Sequence, residues 1–336
     1  MNFHVKAVLF SLIGMALVAC SSEAQTLRER LQERAGERRP GGGGLLGRQD
    51  SGPVAGGDTI SIDVNGQSRS FIVAAPDNGR ASSAIIMFHG GGGTAERTFQ
   101  NNSLRTEAPA QGVLAVYPSA VDGNWTDGRI STAGGPDDIA FVRAMIAELS
   151  ARYGVDPNRV FGTGISNGGI FTHKLACDAP GLLRAIAPVA GNMSESLRAV
   201  CNPASGTPVM MFSGTDDPLM PYAGGRPEVD GMLRAMGRTN GEDQMVSSPD
   251  TAAFWAARNG CGAASEAALP DAVSDGTTVT QLTYSCPSNQ VTLYRINGGG
   301  HTWPGSAADA PRFIGAVSRD IDATQTMIAF FRGYGL

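Results

Sequence analysis

Hydrophobic and polar residues alternate in a repeating order from about residue 58 to the end of the chain. Short, mostly apolar runs typical of buried strands are separated by longer segments in which apolar residues recur at helical spacing. The strand-like runs are TISIDV, SRSFIVAAP, SAIIMF, GVLAVYP, NRVFGTG, RAIAPVAG, TPVMMFSG and VTLYRING. The helix-like segments are DDIAFVRAMIAELSARYG, IFTHKLAC, DTAAFWAARNG and IDATQTMIAFFRGYG.

This order predicts an α/β fold with a mainly parallel central sheet and helices on both faces. Parallel neighbours need crossover connections, and helices supply them, whereas NGQ between the first two runs predicts a hairpin. The chain has 336 residues, 42% of them hydrophobic, which is enough to fill one large core. We therefore predict a single catalytic domain over residues 58–336, with its site at the carboxyl ends of the strands.

The first 57 residues depart from this pattern. Residues 1–20 combine a weakly basic head with the apolar run AVLFSLIGMALVA, which is too short to span a bilayer and is typical of a secretory signal. The run ends in Leu-Val-Ala-Cys, which resembles a lipoprotein cleavage box and predicts lipidation of Cys20; the alternative is ordinary cleavage after Ala24. Residues 21–57, charged and glycine-rich, predict a flexible tether. We expect an exported protein, either lipid-anchored to a bacterial membrane or secreted.

Cysteine usage supports export independently. Without Cys20 an even number remains, which an oxidising compartment favours for disulfides. Proximity in sequence favours the pairs Cys177–Cys201 and Cys261–Cys286. No cysteine or histidine cluster has metal-ligand spacing, so we expect neither metal nor cofactor.

Net charge and the lengths of the apolar runs exclude some classes of binding partner. The formal net charge of −5 leaves no basic footprint for nucleic acid, and no later apolar run is long enough to span a membrane. We expect a monomer that acts on a small or neutral partner and meets a membrane only through a lipid anchor.

The stretch GTGISNGGIF places Ser166 among four glycines, between a strand-like run and a helix-like segment. Gly164-Ile165-Ser166-Asn167-Gly168 fits the G-x-S-x-G elbow, which exposes a nucleophilic serine above the sheet. Such a pattern arises by chance in glycine-rich chains, so its partners decide the interpretation.

A base for Ser166 must come from one of four histidines. His4 lies in the signal, His173 lies two helical turns beyond the serine, and His89 precedes a glycine run. His301, in a glycine loop after the last strand-like run, is the candidate, because α/β-hydrolases order their triad Ser, acid, His.

The acid is expected after a strand between these two, where Asp216 and Asp217 stand. Either could orient His301, and we favour Asp217. For the oxyanion hole we expect the N–H groups of Asn167 and Gly91, with Gly90 and Gly92 as alternatives. A phosphate-binding loop is the rival interpretation of FHGGGG, but the run lacks the Lys-Ser/Thr ending.

Taken together, MFHGGGG, DDIAFVRAMI, NRVFGTGISNGGIFTHKLAC, RAIAPVAG, GTDDPLMPYAGG and GGGHTWPG resemble the polyhydroxybutyrate depolymerase and feruloyl esterase family, which includes LpqC-like secreted esterases of the α/β-hydrolase superfamily. The resemblance covers residues 58–336. It implies a carboxylic ester hydrolase, acting on a simple or a polymeric ester substrate, with Ser166, Asp217 and His301 as its triad. Family members often have Ala or Ser at the position of Asp216, which supports Asp217 as the acid.

The substrate is less determined than the reaction. Trp303 is expected to contact substrate, and Trp125 either contacts substrate or packs at the surface. The short connection between RAIAPVAG and TPVMMFSG leaves no room for a large cap, which favours feruloyl or hydroxyalkanoate esters over triglyceride. A serine peptidase, an acyltransferase and a non-catalytic binding protein on the same scaffold are the alternatives.

Overall fold

A ten-stranded sheet forms the centre of the chain in the computed structural model, which describes residues 56–227 and 243–336. The strand order is β1-β2-β4-β3-β5-β6-β7-β10-β9-β8. The six strands from β4 to β10 in this order run parallel to one another, and antiparallel strands complete the sheet at each edge. The predicted mainly parallel α/β sheet is therefore confirmed.

The strands are β1 (Asp58–Val64), β2 (Gln67–Ala74), β3 (Ala84–Phe88), β4 (Leu114–Pro118), β5 (Val160–Ile165), β6 (Ile186–Val189), β7 (Val209–Gly214), β8 (Ala264–Ala268), β9 (Thr278–Tyr284) and β10 (Val291–Asn297). The α-helices among the described residues are α1 (Ala95–Asn101), α2 (Leu104–Glu107), α3 (Asp138–Tyr153), α4 (Asn167–Asp178), α5 (Glu195–Val200), α6 (Ser248–Arg258) and α7 (Ala323–Arg332).

Helices cover both faces of this sheet because its central strands bury side chains on both sides. In β3, Ile86 and Phe88 belong to one hydrophobic cluster, whereas Ile85 and Met87 belong to the other. Helices α3, α4 and α6 pack on the first cluster, and α1, α2 and α7 pack on the second. A strand that is apolar at every position is the pattern of a sheet covered on both faces.

Two strands and three short helices were not predicted. All five residues of β8 are exposed, so its sequence ASEAA carries no hydrophobic alternation. This strand forms one edge of the sheet, where the charged Glu266 is typical of an edge exposed to water. Helices α1, α2 and α5 have 7, 4 and 6 residues, too few for helical periodicity to be evident.

Both disulfides join the cysteines that proximity in sequence favours. Cys177 at the end of α4 is bonded to Cys201 just after α5, and Cys261 after α6 is bonded to Cys286 after β9. Each closes a loop of about 25 residues. Neither disulfide touches the predicted triad, so their role is to hold connections of the sheet in place.

The connection between β6 and β7 contains only the short helix α5, consistent with the predicted absence of a large cap there. Within the described ranges, no helix has the length and hydropathy needed to cross a bilayer. The predicted signal, Cys20 and most of the tether lie outside the described residues.

Candidate active site

Ser166 stands at a sharp turn between β5 and α4. Its backbone has φ 57° and ψ −124°, a left-handed conformation that a residue with a side chain rarely adopts. A Cβ on Gly168 would lie 2.2 Å from the carbonyl oxygen of Phe88, and a Cβ on Gly164 would lie 2.6 Å from Gly168 C. The glycines are therefore required, because α4 starts directly against the end of β3. This geometry is the strained elbow that the sequence predicts.

His301 and Asp217 lie together at the same edge of the sheet. His301 follows β10 and Asp217 follows the adjacent strand β7, and Nδ1 of His301 lies 2.8 Å from Oδ2 of Asp217. The other carboxylate oxygen of Asp217 accepts from the N–H groups of Leu219 (2.8 Å) and Met220 (2.7 Å). The carboxylate is thus buried, fixed and aimed at the histidine.

Asp216, the alternative acid, has no hydrogen bond with His301 among the described residues. It is exposed, and its carboxylate accepts a hydrogen bond from Thr215 Oγ1 at 2.9 Å. Both aspartates lie in the turn after β7, and of the two only Asp217 contacts the imidazole. No hydrogen bond of the described residues joins Ser166 Oγ to His301, a contact that often tightens only when substrate binds.

The two other described histidines have structural contacts at both ring nitrogens. His173 is fully buried, with Nε2 donating to Gly191 O at 3.1 Å and Nδ1 accepting from Trp255 Nε1 at 2.9 Å. Burial lowers the pKa of His173 to about 3, so its ring is neutral. Burial also lowers the pKa of His89, whose Nε2 accepts from the N–H of Ala120 at 3.1 Å. Neither is placed to act as a base for Ser166.

The glycine run after β3 passes beside the elbow. A Cβ on Gly90 would lie 3.5 Å from Ser166 Cβ, and one on Gly91 would lie 3.7 Å from Asn167 Cβ. The N–H groups of Gly92 and Gly93 are engaged by Gly123 O (2.8 Å) and Gly90 O (2.9 Å). No such bond occupies the N–H of Gly90, Gly91 or Asn167 in the described part of the chain, so Asn167 and Gly91, with Gly90 as the alternative to Gly91, remain the candidate oxyanion donors.

Trp125 does not pack at the surface, so that alternative is wrong, but it is among the residues that line the cleft at Ser166, and its contact with substrate stays a prediction. Its side chain is completely buried, stacked on Phe171 with ring centroids 5.2 Å apart. Its indole N–H donates to His89 O at 3.0 Å. A loop tryptophan was expected outside because loops usually run over the surface, but this one inserts between the sheet and α4.

Trp303 is partly buried and packs against the cluster beneath α7. Its indole N–H donates to Thr324 Oγ1 at 3.1 Å, at the start of that helix. Its expected contact with substrate stays a prediction, but these contacts favour support of the His301 loop.

A neighbouring aromatic side chain is more accessible. Phe313 is 65% exposed and precedes Ile314, whose carbonyl oxygen accepts the N–H of His301 at 2.6 Å. No hydrophobic periodicity points to Phe313, because it lies in a 3-10 turn of only three residues, Arg312–Ile314, which the fold brings beside His301.

A cleft of about 800 Å³ opens at Ser166. The loop between β4 and α3 contributes both polar and apolar residues to the lining: Val121, Asp122, Asn124, Trp125, Thr126, Arg129, Ser131, Thr132, Ala133 and Pro136. Leu219 and Met220, which follow the acid, also line the cleft. A cleft lined by polar and apolar residues suits an ester that joins an apolar acyl group to a polar alcohol. The described residues contain no cluster of metal-ligating side chains.

Comparison with solved structures identifies the fold. An acetyl xylan esterase from Aspergillus awamori superposes with a TM-score of 0.55 over 82% of this chain and 100% of that one, at 15% sequence identity. This likeness and the sheet order show the α/β-hydrolase fold.

Sequence comparison identifies relatives. "Putative esterase NocK" of Nocardia uniformis subsp. tsuyamanensis is 30% identical over 293 residues, which cover 84% of this chain and 85% of NocK. Feruloyl esterase B of Piromyces equi is 26% identical over 66% of this chain, which spans only 40% of that protein. No protein-family model matches the chain.

Proposed function

The chain is a carboxylic ester hydrolase of the family that contains NocK and the feruloyl esterases, and we propose that it cleaves its substrate through an acyl-enzyme on Ser166. The observation that carries this proposal is the 2.8 Å contact between His301 Nδ1 and Asp217 Oδ2 at the same sheet edge as the Ser166 elbow. A serine, a buried carboxylate and a histidine, in that order along the chain, are the triad of serine hydrolases with this fold.

The proposed mechanism follows from the protonation that Asp217 imposes. Nδ1–H of His301 donates to the carboxylate, which leaves Nε2 unprotonated and able to take the proton of Ser166 Oγ. The serine oxygen then bonds to the ester carbonyl carbon, and the N–H groups of Asn167 and Gly91 stabilise the resulting oxyanion. His301 returns its proton to the leaving alcohol. Water, deprotonated by the same nitrogen, then releases the acid and regenerates Ser166.

We propose that the substrate is an aryl or acetyl ester of a carbohydrate, of the feruloyl or acetyl xylan type. The polar residues that line the cleft between positions 122 and 132 can offer hydrogen bonds to sugar hydroxyls, which a polyhydroxybutyrate chain lacks. The feruloyl esterases among the relatives support the same substrate class. A panel of methyl ferulate, acetylated xylan, nitrophenyl acetate and polyhydroxybutyrate tests it. Turnover of the polyester alone would contradict this choice of substrate.

Phe313→Ala should weaken turnover of a feruloyl ester by about 1–2 kcal/mol of transition-state binding, because an exposed aromatic ring next to Ile314, whose backbone is bonded to His301, can pack against an aryl acyl group. Turnover of nitrophenyl acetate should hardly change, since an acetyl group is too small to reach the ring. The measurement is kcat/KM for both substrates.

Trp303→Ala is the matched aromatic control. Because this indole is anchored to Thr324 and packs on the core, its loss should lower both rates equally and reduce thermal stability. If Trp303→Ala selectively lowers turnover of the feruloyl ester and Phe313→Ala does not, then Trp303 and not Phe313 contacts the substrate.

We further propose that the enzyme is exported and carries lipid on Cys20. The lipoprotein-type sequence before Cys20 supports this, and so do the two disulfides, which persist in oxidising compartments. The expressed protein should partition into detergent, and Cys20→Ser should abolish that partition. Wild-type protein found wholly in the soluble secreted fraction would contradict lipidation but leave the esterase assignment untouched.

The monomeric state of the protein also stays a prediction.

A further inference from the structure

Residues 119–136, which we call the bridging loop, touch both candidate oxyanion donors. On one side, Gly123 O accepts the N–H of Gly92 at 2.8 Å, and a Cβ on Gly91 would lie 3.0 Å from Asn124 Oδ1. On the other side, the loop is bonded to the side chain of Asn167. The two donors belong to separate segments, after β3 and at the start of α4, so their spacing depends on what connects them.

The contact with Asn167 is unusually complete for an amide side chain. Its Oδ1 accepts the N–H of Trp125 at 2.8 Å, and its Nδ2 donates to Trp125 O at 3.0 Å. The same Nδ2 donates to Asp127 Oδ2 at 2.6 Å. Asn167 is 3% exposed, and all of these partners lie in the bridging loop. An amide held at three points leaves the residue, and therefore its backbone N–H, little freedom.

Asp127 is the centre of this contact. Its carboxylate is fully buried and accepts from Asn167, from Nε (2.8 Å) and Nη2 (2.7 Å) of Arg129, from the N–H of Arg129 (3.1 Å) and from Thr132 Oγ1 (3.0 Å). Donors therefore face both of its oxygens. An asparagine in its place would turn an NH₂ group toward donors whichever way it lay, so the charge is required and not only the shape.

We propose that Asp127 is a positioning residue for the oxyanion hole, acting through the side chain of Asn167, an inference that rests on the proposed role of the Asn167 N–H. A buried carboxylate costs desolvation free energy even when it is paired, so stability alone does not explain its presence beside the nucleophile. Fixing the spacing of two N–H donors does explain it, because an oxyanion hole acts only when its donors are already aimed at the developing charge.

Asp127→Asn should lower kcat by about 10- to 100-fold with KM nearly unchanged, since the misplaced donor serves the transition state and not the bound ester. Affinity for phenylboronic acid should fall by a similar factor. This probe reacts with Ser166 Oγ to form a B–O bond, the proton passing to His301, and gives a tetrahedral anion whose oxygen occupies the oxyanion hole. Asn167→Ala, which keeps its N–H, should give the same losses, and the double variant should be no worse than either.

Asp138→Asn is the matched control. Asp138 is also buried, pairs with Arg69 at 2.7 Å and accepts the N–H of Thr126 at 2.8 Å, but it does not touch Asn167. The Asp138→Asn variant should be less stable than the wild type but should retain its affinity for the boronic acid. Equal boronate affinity in Asp127→Asn, Asp138→Asn and wild type would overturn the inference. If Asp127→Asn fails to fold, Asn167→Ala decides alone, and unchanged boronate affinity in it is the contradicting result. A wild-type enzyme that does not bind the boronate would instead contradict the proposed function.

Discussion

Ser166→Ala and His301→Ala should each lower kcat by about 10⁴- to 10⁶-fold, because the nucleophile and its base act as one unit in forming and breaking the acyl-enzyme. KM should change little, since neither side chain is needed to hold the ester in the cleft. The measurement is steady-state hydrolysis of nitrophenyl acetate by both variants, with circular dichroism to show that each is folded.

Non-additivity provides the control for this prediction. The variant with both substitutions should be hardly less active than either single variant, because the residual rate comes from binding and the oxyanion hole. Losses that multiply would mean that Ser166 and His301 act independently, and would contradict a shared triad.

Asp217→Asn should lower kcat by about 10³- to 10⁴-fold, because the amide no longer holds His301 in the tautomer that leaves Nε2 free to accept a proton. The neighbouring substitution Asp216→Asn is the matched control and should leave kcat within about twofold, since that side chain is exposed and bonded only locally. Kinetics of the two variants side by side give the answer. A large loss in Asp216→Asn with little loss in Asp217→Asn would contradict the assignment that the 2.8 Å contact with His301 supports.

Much of this fold could be predicted from the sequence because its strands are buried on both faces. Runs such as Ala84–Phe88 are apolar at every position, so the hydrophobic pattern alone identifies them. The strand Ala264–Ala268 could not be found in the same way, because an exposed edge strand needs no apolar side. The hairpin partner that stabilises it is separated from it by a loop of irregular sequence.

Some residues of the candidate site could likewise be predicted from the sequence, and others could not. Glycines around Ser166 and after Phe88 indicate backbone geometry that only glycine permits, and local sequence shows this. The choice between Asp216 and Asp217 depends on side-chain direction at the end of a strand, which the structure supplies. No sequence pattern points to Asp127, because its importance comes from its hydrogen bond with Asn167, 40 positions away along the chain. The sequence around Trp125 is misleading, since a tryptophan in a polar loop is expected to be exposed.

Ser166 carries the acyl group in the proposed mechanism, and covalent trapping of this serine is the decisive measurement. Wild-type enzyme treated with an aryl phosphonate ester should gain one phosphonyl group, located by peptide mass spectrometry on Ser166, in step with loss of esterase activity. Ser166→Ala should gain none, and His301→Ala should react far more slowly because the serine is no longer activated. Inactivation of the wild type with the label on another residue, or full esterase activity with Ser166 modified, would contradict the account.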